Sequence, residues 1–240
     1  MSTSLIVFDL DSVTYRVSGP QLIQDPADRI LYPGVYGRLN KLRSQGWAQA
    51  IISNQTCCDW QKIAGVDLKP GMYFQLFGED GFLEGETFIA KKIEADHRVL
   101  KIRTISNELF YLGVNNKVLA RHKMIEQAIE ELSAAANLCG IEEFRFCHCI
   151  KGHSAIESAK VDGVWRSAFI ECESPQGESV KYGNFLKPGP GLLNRTREFN
   201  AKKFDCCVFV GIKLEGNLAA SKAGFEFIEA NDWRGGRVFV

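Results

Sequence analysis

The chain has 240 residues, of which 45% are hydrophobic and 24% charged, and this composition excludes a disordered, collagen-like or coiled-coil protein. With 29 basic and 29 acidic residues the formal net charge is +0, so overall charge gives no reason to expect a nucleic-acid or membrane partner. No apolar run approaches the ~18 residues of a membrane span. Nor does the N-terminus have the basic region and cleavage site of a signal peptide, so we expect a cytoplasmic protein without a membrane partner.

The first predicted elements form a β-α-β unit. Residues 4–8 and 48–52 are short apolar runs, which are typical of buried parallel strands, and both end in polar residues at Asp9 and Ser53. Between them, residues 33–46 carry apolar side chains at helical spacing, with a proline near the start and a glycine past the end. This pattern predicts two parallel strands joined by a right-handed helical crossover.

A β-rich insertion is predicted next, at 58–120. Residues 72–114 contain short apolar and aromatic runs separated by Gly, Asp and Asn, a pattern typical of strands and turns. The aromatic residues favour a small β core, and a platform for stacking nucleic-acid bases is the alternative. The insertion is locally basic through Lys91, Lys92, Arg98, Lys101 and Arg103.

The α/β pattern then resumes. Residues 121–138 have a clear helical period, and residues 206–210 form another buried apolar run that ends at Gly211. Further elements are predicted as short strands at 144–146, 225–228 and 238–240 and a helix at 217–224.

Polar residues at the strand ends are the candidates for chemistry, because open parallel sheets bind ligands beyond the carboxyl ends of their strands. Asp9 and Asp11 are two positions apart, so one can act as a nucleophile and the other as an acid and base. The hydroxyl of Ser53, the amide of Asn54 and the ammonium group of Lys187 are suited to binding phosphate oxygens.

Four segments resemble, in order, the motifs of the haloacid dehalogenase (HAD) superfamily of phosphotransferases. Val7–Val13 (VFDLDSV) resembles the first motif. Ile51–Gln55 (IISNQ) resembles the second, in the form common among histidinol-phosphate phosphatases, heptose-bisphosphate phosphatases and polynucleotide 3′-phosphatases. Phe185–Leu193 looks like the lysine motif, and Val210–Gly224 looks like the framework of the fourth.

The resemblance implies an α/β fold: a HAD-like (Rossmann-type) three-layer sandwich around a mostly parallel sheet. The core domain would comprise residues 1–57 and 121–240, with 58–120 as a small β-rich cap. The resemblance further implies that Asp9 forms an aspartyl-phosphate, that Asp11 is the general acid and base, and that the phosphoryl oxygens are held by Ser53, Asn54 and Lys187.

A magnesium ion is also implied, bound by Asp9, the backbone carbonyl of Asp11 and an acid of the fourth motif. This sequence departs from the family there, because Ile212 and Gly216 stand where the family has aspartates. An apolar side chain cannot replace an oxygen ligand. Glu215 or Asp232 could supply a carboxylate, and Lys213 could partly replace the ion's positive charge. Because both fourth-motif aspartates are missing, we expect Mg²⁺ to bind weakly.

The eight cysteines favour reduced thiols, since several are adjacent pairs, which are poor disulfide partners for each other. A zinc site is the minority alternative. It would involve Cys147, Cys149, His153 and Cys172, which resemble incompletely the zinc loop of heptose-bisphosphate phosphatases.

The sequence therefore predicts a phosphomonoester hydrolase that acts on a small phosphorylated substrate through an aspartyl-phosphate. Loss of the fourth-motif acids favours one alternative, a pseudophosphatase that binds a phosphorylated ligand or a protein. The basic insertion favours another, a polynucleotide 3′-phosphatase acting on a nucleic-acid end.

Overall fold

The computed structural model describes residues 4–16, 29–78, 81–82, 87–96, 98–171, 183–199 and 204–236. Contacts divide the chain into two compact units. The first contains the described residues within 1–19, 25–56 and 129–240, and the second contains those within 57–128. The predicted insertion at 58–120 falls within the second unit.

The first unit is built on a seven-stranded sheet. Across the sheet the strands follow the order β14 (Val164–Glu171), β13 (Ser154–Val161), β12 (Glu143–Cys147), β4 (Ala48–Asn54), β1 (Ser4–Asp9), β15 (Cys206–Gly211) and β16 (Glu226–Glu229). The five strands from β12 to β16 in that order are parallel, and the β13–β14 hairpin extends the sheet antiparallel. A mixed α/β fold with a mostly parallel sheet is thus confirmed.

Helices pack against this sheet because its central strands are apolar on both faces. The described residues form the helices α1 (Leu10–Val13), α2 (Val35–Ser44), α3 (Ile125–Cys139), α4 (Gly191–Phe199), α5 (Lys213–Ala223) and α6 (Ala230–Gly235), of which α1, α4, α5 and α6 contact the sheet. Leu5 and Val7 share a core with buried residues of α4 and α5. Phe8, which alternates to the opposite face, packs on Trp233 of α6 with ring centroids 4.9 Å apart. Within the described ranges, no helix is long and apolar enough to cross a membrane.

The second unit is a six-stranded antiparallel sheet with a seventh, short strand attached. Its strands are β5 (Gln61–Ala64), β6 (Tyr73–Gly78), β7 (Gly81–Phe82), β8 (Phe88–Asp96), β9 (Val99–Thr104), β10 (Leu109–Gly113) and β11 (Lys117–Arg121). Phe74 is fully buried, and Phe88 and Phe110 pack around it with their own ring centroids 4.6 Å apart. These aromatic residues form a small β core, whereas Lys91, Lys92, Arg98 and Arg103 are exposed.

Several element bounds differ from the sequence predictions. Helix α5 begins at Lys213, not at 217, and α3 covers Ile125–Cys139, not 121–138. The β13–β14 hairpin and a small antiparallel pair, β2 (Thr14–Arg16) with β3 (Arg29–Leu31), were not predicted. The strand predicted at 238–240 lies outside the described residues.

Candidate active site

The candidate site lies where the ends of neighbouring strands meet. Strand β1 lies between β4 and β15, and its last residues pair as Asp9 with Ile52 and Phe8 with Val210. The chain moves from β1 to β4 on one side and returns to β15 on the other, so the strand order reverses beside β1. Such a reversal is the usual position of a ligand crevice in open α/β sheets.

A cavity of about 210 Å³ occupies this position. The structure brings six of the predicted site residues into its lining, together with Ile212 and Gly216. The lining residues are Asp9, Asp11, Ser53, Asn54, Lys187, Ile212, Glu215 and Gly216. Residues that are far apart in sequence therefore form one polar cleft, while the role of each remains a prediction.

The central contact of the cleft is an ion pair between Asp9 and Lys187. The Nζ atom of Lys187 lies 2.7 Å from Oδ2 of Asp9, and both side chains are largely buried. Burial raises the pKa of the Asp9 carboxyl, and the nearby ammonium group of Lys187 offsets part of this rise. The ammonium group of Lys187 therefore offsets part of the penalty that burial places on the ionised form of Asp9.

A tight loop before α4 positions Lys187. Within it, the carbonyl of Asn184 accepts the N–H of Gly191 at 2.9 Å, and the carbonyl of Leu186 accepts the N–H of Gly189 at 2.8 Å. The Asn184 side chain donates to the carbonyl of Lys151 at 2.7 Å and accepts the Leu186 N–H at 2.8 Å. A Cβ atom on Gly189 would lie only 2.1 Å from the Asn184 carbonyl oxygen, so this turn requires glycine there.

Gly189→Ala is therefore expected to destabilise the fold by ~1–3 kcal/mol, the usual cost of overpacking, and to displace Lys187. Gly37→Ala is the matched control, because its Cβ would meet nothing within 4 Å and position 37 lies inside α2. That control should gain ~0.5–1 kcal/mol through helix propensity. Urea unfolding of both variants measures the difference, and equal effects would contradict the assigned loop geometry.

Ser53 and Asn54 end strand β4. Ser53 is 5% exposed, and its Oγ accepts a hydrogen bond from Nε2 of Gln55 at 3.0 Å. Gln55 is fixed in turn, because its backbone N–H donates to the carbonyl of Cys147 at 2.8 Å. Asn54 connects to the lysine loop, with its Oδ1 3.5 Å from the Lys187 backbone nitrogen. Gln55 thus supports the Ser53 hydroxyl, a role that its presence in the IISNQ motif did not by itself reveal.

Asp11 extends from the first turn after β1, and its side chain is 68% exposed. It accepts a hydrogen bond at 2.9 Å from Nη1 of Arg29, a buried residue that no sequence motif indicates. The α1 turn itself is tied to the neighbouring strand β15, because the Ser12 hydroxyl donates to the Val210 carbonyl at 3.2 Å.

The start of helix α5 forms the remaining wall. Ile212 occupies the N-cap position and makes no side-chain capping hydrogen bond, and the first-turn residues Glu215 and Gly216 also line the cavity. The partial positive charge of a helix N-terminus favours an anion. This wall therefore combines a helix N-terminus, which favours an anion, with the acidic side chain of Glu215.

Magnesium is poorly matched by this set of side chains. Asp9 already contacts Lys187, and the apolar side chain of Ile212 offers no oxygen ligand. Over the part of the chain that the structure describes, no three His, Cys, Asp or Glu side chains come together as a metal-binding group. Glu215 lines the cavity, whereas Asp232 lies in α6 and is not a lining residue. The residues do not fit a magnesium site with three protein oxygen ligands.

The candidate zinc residues make other contacts. The Cys149 sulfur lies 3.4 Å from the Ser154 backbone nitrogen, and the Cys147 sulfur lies 3.2 Å from the Cys149 carbonyl oxygen. His148, which lies between them, contacts the Ser154 hydroxyl at 3.0 Å through Nε2. Cys172 lies outside the described residues, and the zinc hypothesis stays a prediction.

A scan of protein-family models found no match to this chain, and a search of curated proteins found no significant match.

Proposed function

We propose that this chain is a phosphomonoester hydrolase that uses Asp9 as its nucleophile, on a HAD-like three-layer core. The Asp9–Lys187 contact at 2.7 Å, in a cavity also lined by Ser53 and Asn54, carries the proposal. It places a carboxylate, which can serve as a nucleophile, beside an ammonium group, a hydroxyl and an amide, which can bind phosphoryl oxygens.

In the first step, a carboxylate oxygen of Asp9 attacks phosphorus, and the bond from phosphorus to the ester oxygen breaks. The product is an aspartyl-phosphate, and the leaving alkoxide takes a proton from Asp11 to become an alcohol. Lys187 interacts with the negative charge on the phosphoryl oxygens, while Ser53 and Asn54 provide neutral hydrogen-bond donors.

In the second step, Asp11, now a carboxylate, takes a proton from a water molecule that attacks phosphorus. The bond between phosphorus and the Asp9 oxygen breaks, which releases inorganic phosphate and restores the Asp9 carboxylate. The proton returns Asp11 to its starting form, so atoms and charges balance over the cycle.

The cleft carries less negative charge than it would with the two aspartates of the HAD fourth motif, and this favours the binding of a phosphate. Three lining residues are acidic, and two of them are paired, Asp9 with Lys187 and Asp11 with Arg29. Aspartates at 212 and 216 would add two negative charges, which a bound cation would offset. Their replacement lowers the repulsion that an incoming phosphate meets beside the N-terminus of α5.

The same replacement favours a second candidate function, a module that binds a phosphorylated ligand without turnover. Ile212 and Gly216 both line the cavity, so the substitutions lie within the site itself. Phosphate binding would then remain while electrostatic stabilisation of the transition state is weakened.

A phosphate-release assay on purified protein distinguishes the candidates. The panel contains small phosphorylated metabolites, p-nitrophenyl phosphate and 3′-phosphorylated oligonucleotides, each with added Mg²⁺ and with EDTA. Release of phosphate supports the hydrolase, and selective release from the oligonucleotides supports a 3′-phosphatase. Binding of inorganic phosphate, measured by calorimetry, without release from any ester would replace the hydrolase with the binding module.

The pH dependence of turnover depends on Lys187. Since Asp9 must be ionised to attack, turnover falls as pH drops through its pKa, which burial raises and Lys187 lowers. Lys187→Met removes the ammonium group that lowers the pKa of Asp9. The acid limb of kcat/KM should therefore move to higher pH, and the maximal rate should fall. Lys41→Met, an exposed position in α2, is the control and should leave the profile unchanged. An unshifted acid limb in Lys187→Met would argue against Asp9 as the titrating nucleophile.

A further inference from the structure

Arg29 is a buried arginine that contacts the predicted acid and base of the site. It is 5% exposed and begins strand β3. Its Nη1 donates to Oδ1 of Asp11 at 2.9 Å and to Oγ1 of Thr14 at 3.1 Å, while its Nε donates to Oε1 of Glu131 at 2.5 Å. One guanidinium group thus joins the α1 turn to helix α3.

Glu131 and Asp11 differ in how much each carboxylate needs a positively charged partner. Glu131 is 2% exposed, and a buried carboxylate and a buried guanidinium each need a partner of opposite charge. These two groups satisfy each other. Asp11 is 68% exposed, so water could solvate its carboxylate without any partner. Charge compensation therefore accounts for the Glu131 contact but does not account for the Asp11 contact.

The Asp11 contact fixes a side chain that would otherwise rotate freely. An exposed aspartate samples several rotamers, and the guanidinium selects one of them by holding Oδ1. Thr14 completes the arrangement, because its hydroxyl accepts from Arg29 and donates to the Leu10 carbonyl at 3.1 Å. Arg29 is thereby held to the backbone of the same turn that carries Asp11.

We propose that Arg29 is a positioning residue for Asp11: it binds Oδ1 and leaves Oδ2 to exchange protons with the leaving group and with water. This inference rests on the proposed hydrolase function. Proton transfer needs donor and acceptor at hydrogen-bond distance in a defined direction, so a freely rotating carboxylate is a poor acid and base.

The test compares Arg29→Lys with wild type on two esters, an unactivated alkyl phosphate and p-nitrophenyl phosphate. Lysine keeps a cation for Glu131, but its single ammonium group cannot reproduce the separate contacts of Nε and Nη1. We expect kcat/KM for the alkyl ester to fall roughly tenfold, which is part of the ~10²–10⁴-fold that general acid–base catalysis contributes as a whole. The activated ester, whose leaving group needs little protonation, should lose less.

A double-mutant cycle with Asp11→Asn shows whether Arg29 acts through Asp11. Arg29→Lys should cause no further loss in the Asp11→Asn background. An equal loss in both backgrounds, with wild type active, overturns the positioning role and leaves the hydrolase intact. Absence of turnover in wild type on both esters overturns the proposed function and this role with it.

A second variant covers the case in which Arg29→Lys fails to fold. Arg29→Met combined with Glu131→Leu removes both buried charges together, so neither is left unpaired. The pair should reproduce the selective loss on the alkyl ester, with circular dichroism confirming the fold. Equal activity of this variant and wild type on the alkyl ester would contradict the inference.

Discussion

Asp9→Asn is expected to abolish phosphate release and leave the fold intact. The amide has no charge with which to attack phosphorus, and removal of a nucleophile or its activating partner costs on the order of 10⁴–10⁶-fold in hydrolases. The amide oxygen can still accept the hydrogen bond that Lys187 donates at 2.7 Å, so the lysine keeps a partner. Turnover is measured by phosphate release. The intermediate is measured by acid-quenching the reaction with a phosphate-labelled substrate, and the protein should retain label only when Asp9 is present.

Asp162→Asn is the matched control for this substitution. Asp162 is an exposed turn residue with φ of 51°, a conformation that asparagine adopts readily, so turnover should not change. Calorimetry with inorganic phosphate adds a second comparison. Loss of the buried negative charge should let Asp9→Asn bind phosphate at least as tightly as wild type. Retained turnover or a retained phosphoenzyme in Asp9→Asn would remove Asp9 from the mechanism.

The central strands could be predicted from the sequence because they are apolar on both faces. Strands β1, β4 and β15 lie within two residues of the predicted ranges 4–8, 48–52 and 206–210. A strand covered on both sides needs a continuous apolar run, which is a strong local signal. Four polar residues that follow or end the first two of these runs line the cleft: Asp9, Asp11, Ser53 and Asn54.

The β13–β14 hairpin was missed although its signal is present. Asp162 and Gly163 both adopt left-handed φ values, 51° and 79°, at the turn between the two strands. An Asp-Gly pair between alternating segments is the strongest short-range indication of a hairpin. Strand β14 is largely exposed, however, so it lacks the apolar run by which the other strands of this sheet were recognised.

Arg29 could not be predicted because its importance lies in contacts that are distant in sequence. Its partners Asp11 and Glu131 are 18 and 102 positions away, and no local pattern indicates that an arginine will be buried between them. The same applies to the loop that positions Lys187: the motif indicated the lysine, but the hydrogen bonds of Asn184 that shape the loop follow only from the folded chain.

Ile212→Asp is expected to convert the cleft into a magnesium-dependent site. Ile212 lines the cavity at the N-cap of α5, so an aspartate there would add a carboxylate to a cavity that Asp9 and Glu215 already line. Mg²⁺ binds through one or two carboxylates in octahedral oxygen geometry. Its affinity should rise at least ~10–100-fold, the effect of a single supporting partner at a metal site.

Ile212→Asn is the control, because it separates metal binding from helix capping. Asparagine and aspartate cap helices about equally well, so both variants should gain ~0.5–2 kcal/mol of stability over isoleucine. Only the aspartate adds charge. The Gly216→Asp change is less suitable, because a Cβ there would lie 3.2 Å from the Phe209 ring and 3.3 Å from the Phe227 ring.

The sign of the effect on phosphate binding should depend on magnesium. In EDTA, the added charge of Ile212→Asp repels phosphate, so this variant should bind it more weakly than both wild type and Ile212→Asn. With Mg²⁺ the order should reverse, and phosphate release should rise with phosphate affinity. Calorimetry and phosphate release under both conditions provide the measurements. If the two variants behave alike with and without Mg²⁺, position 212 does not face the phosphate, and a carboxylate at the start of α5 cannot hold a metal ion in this cleft.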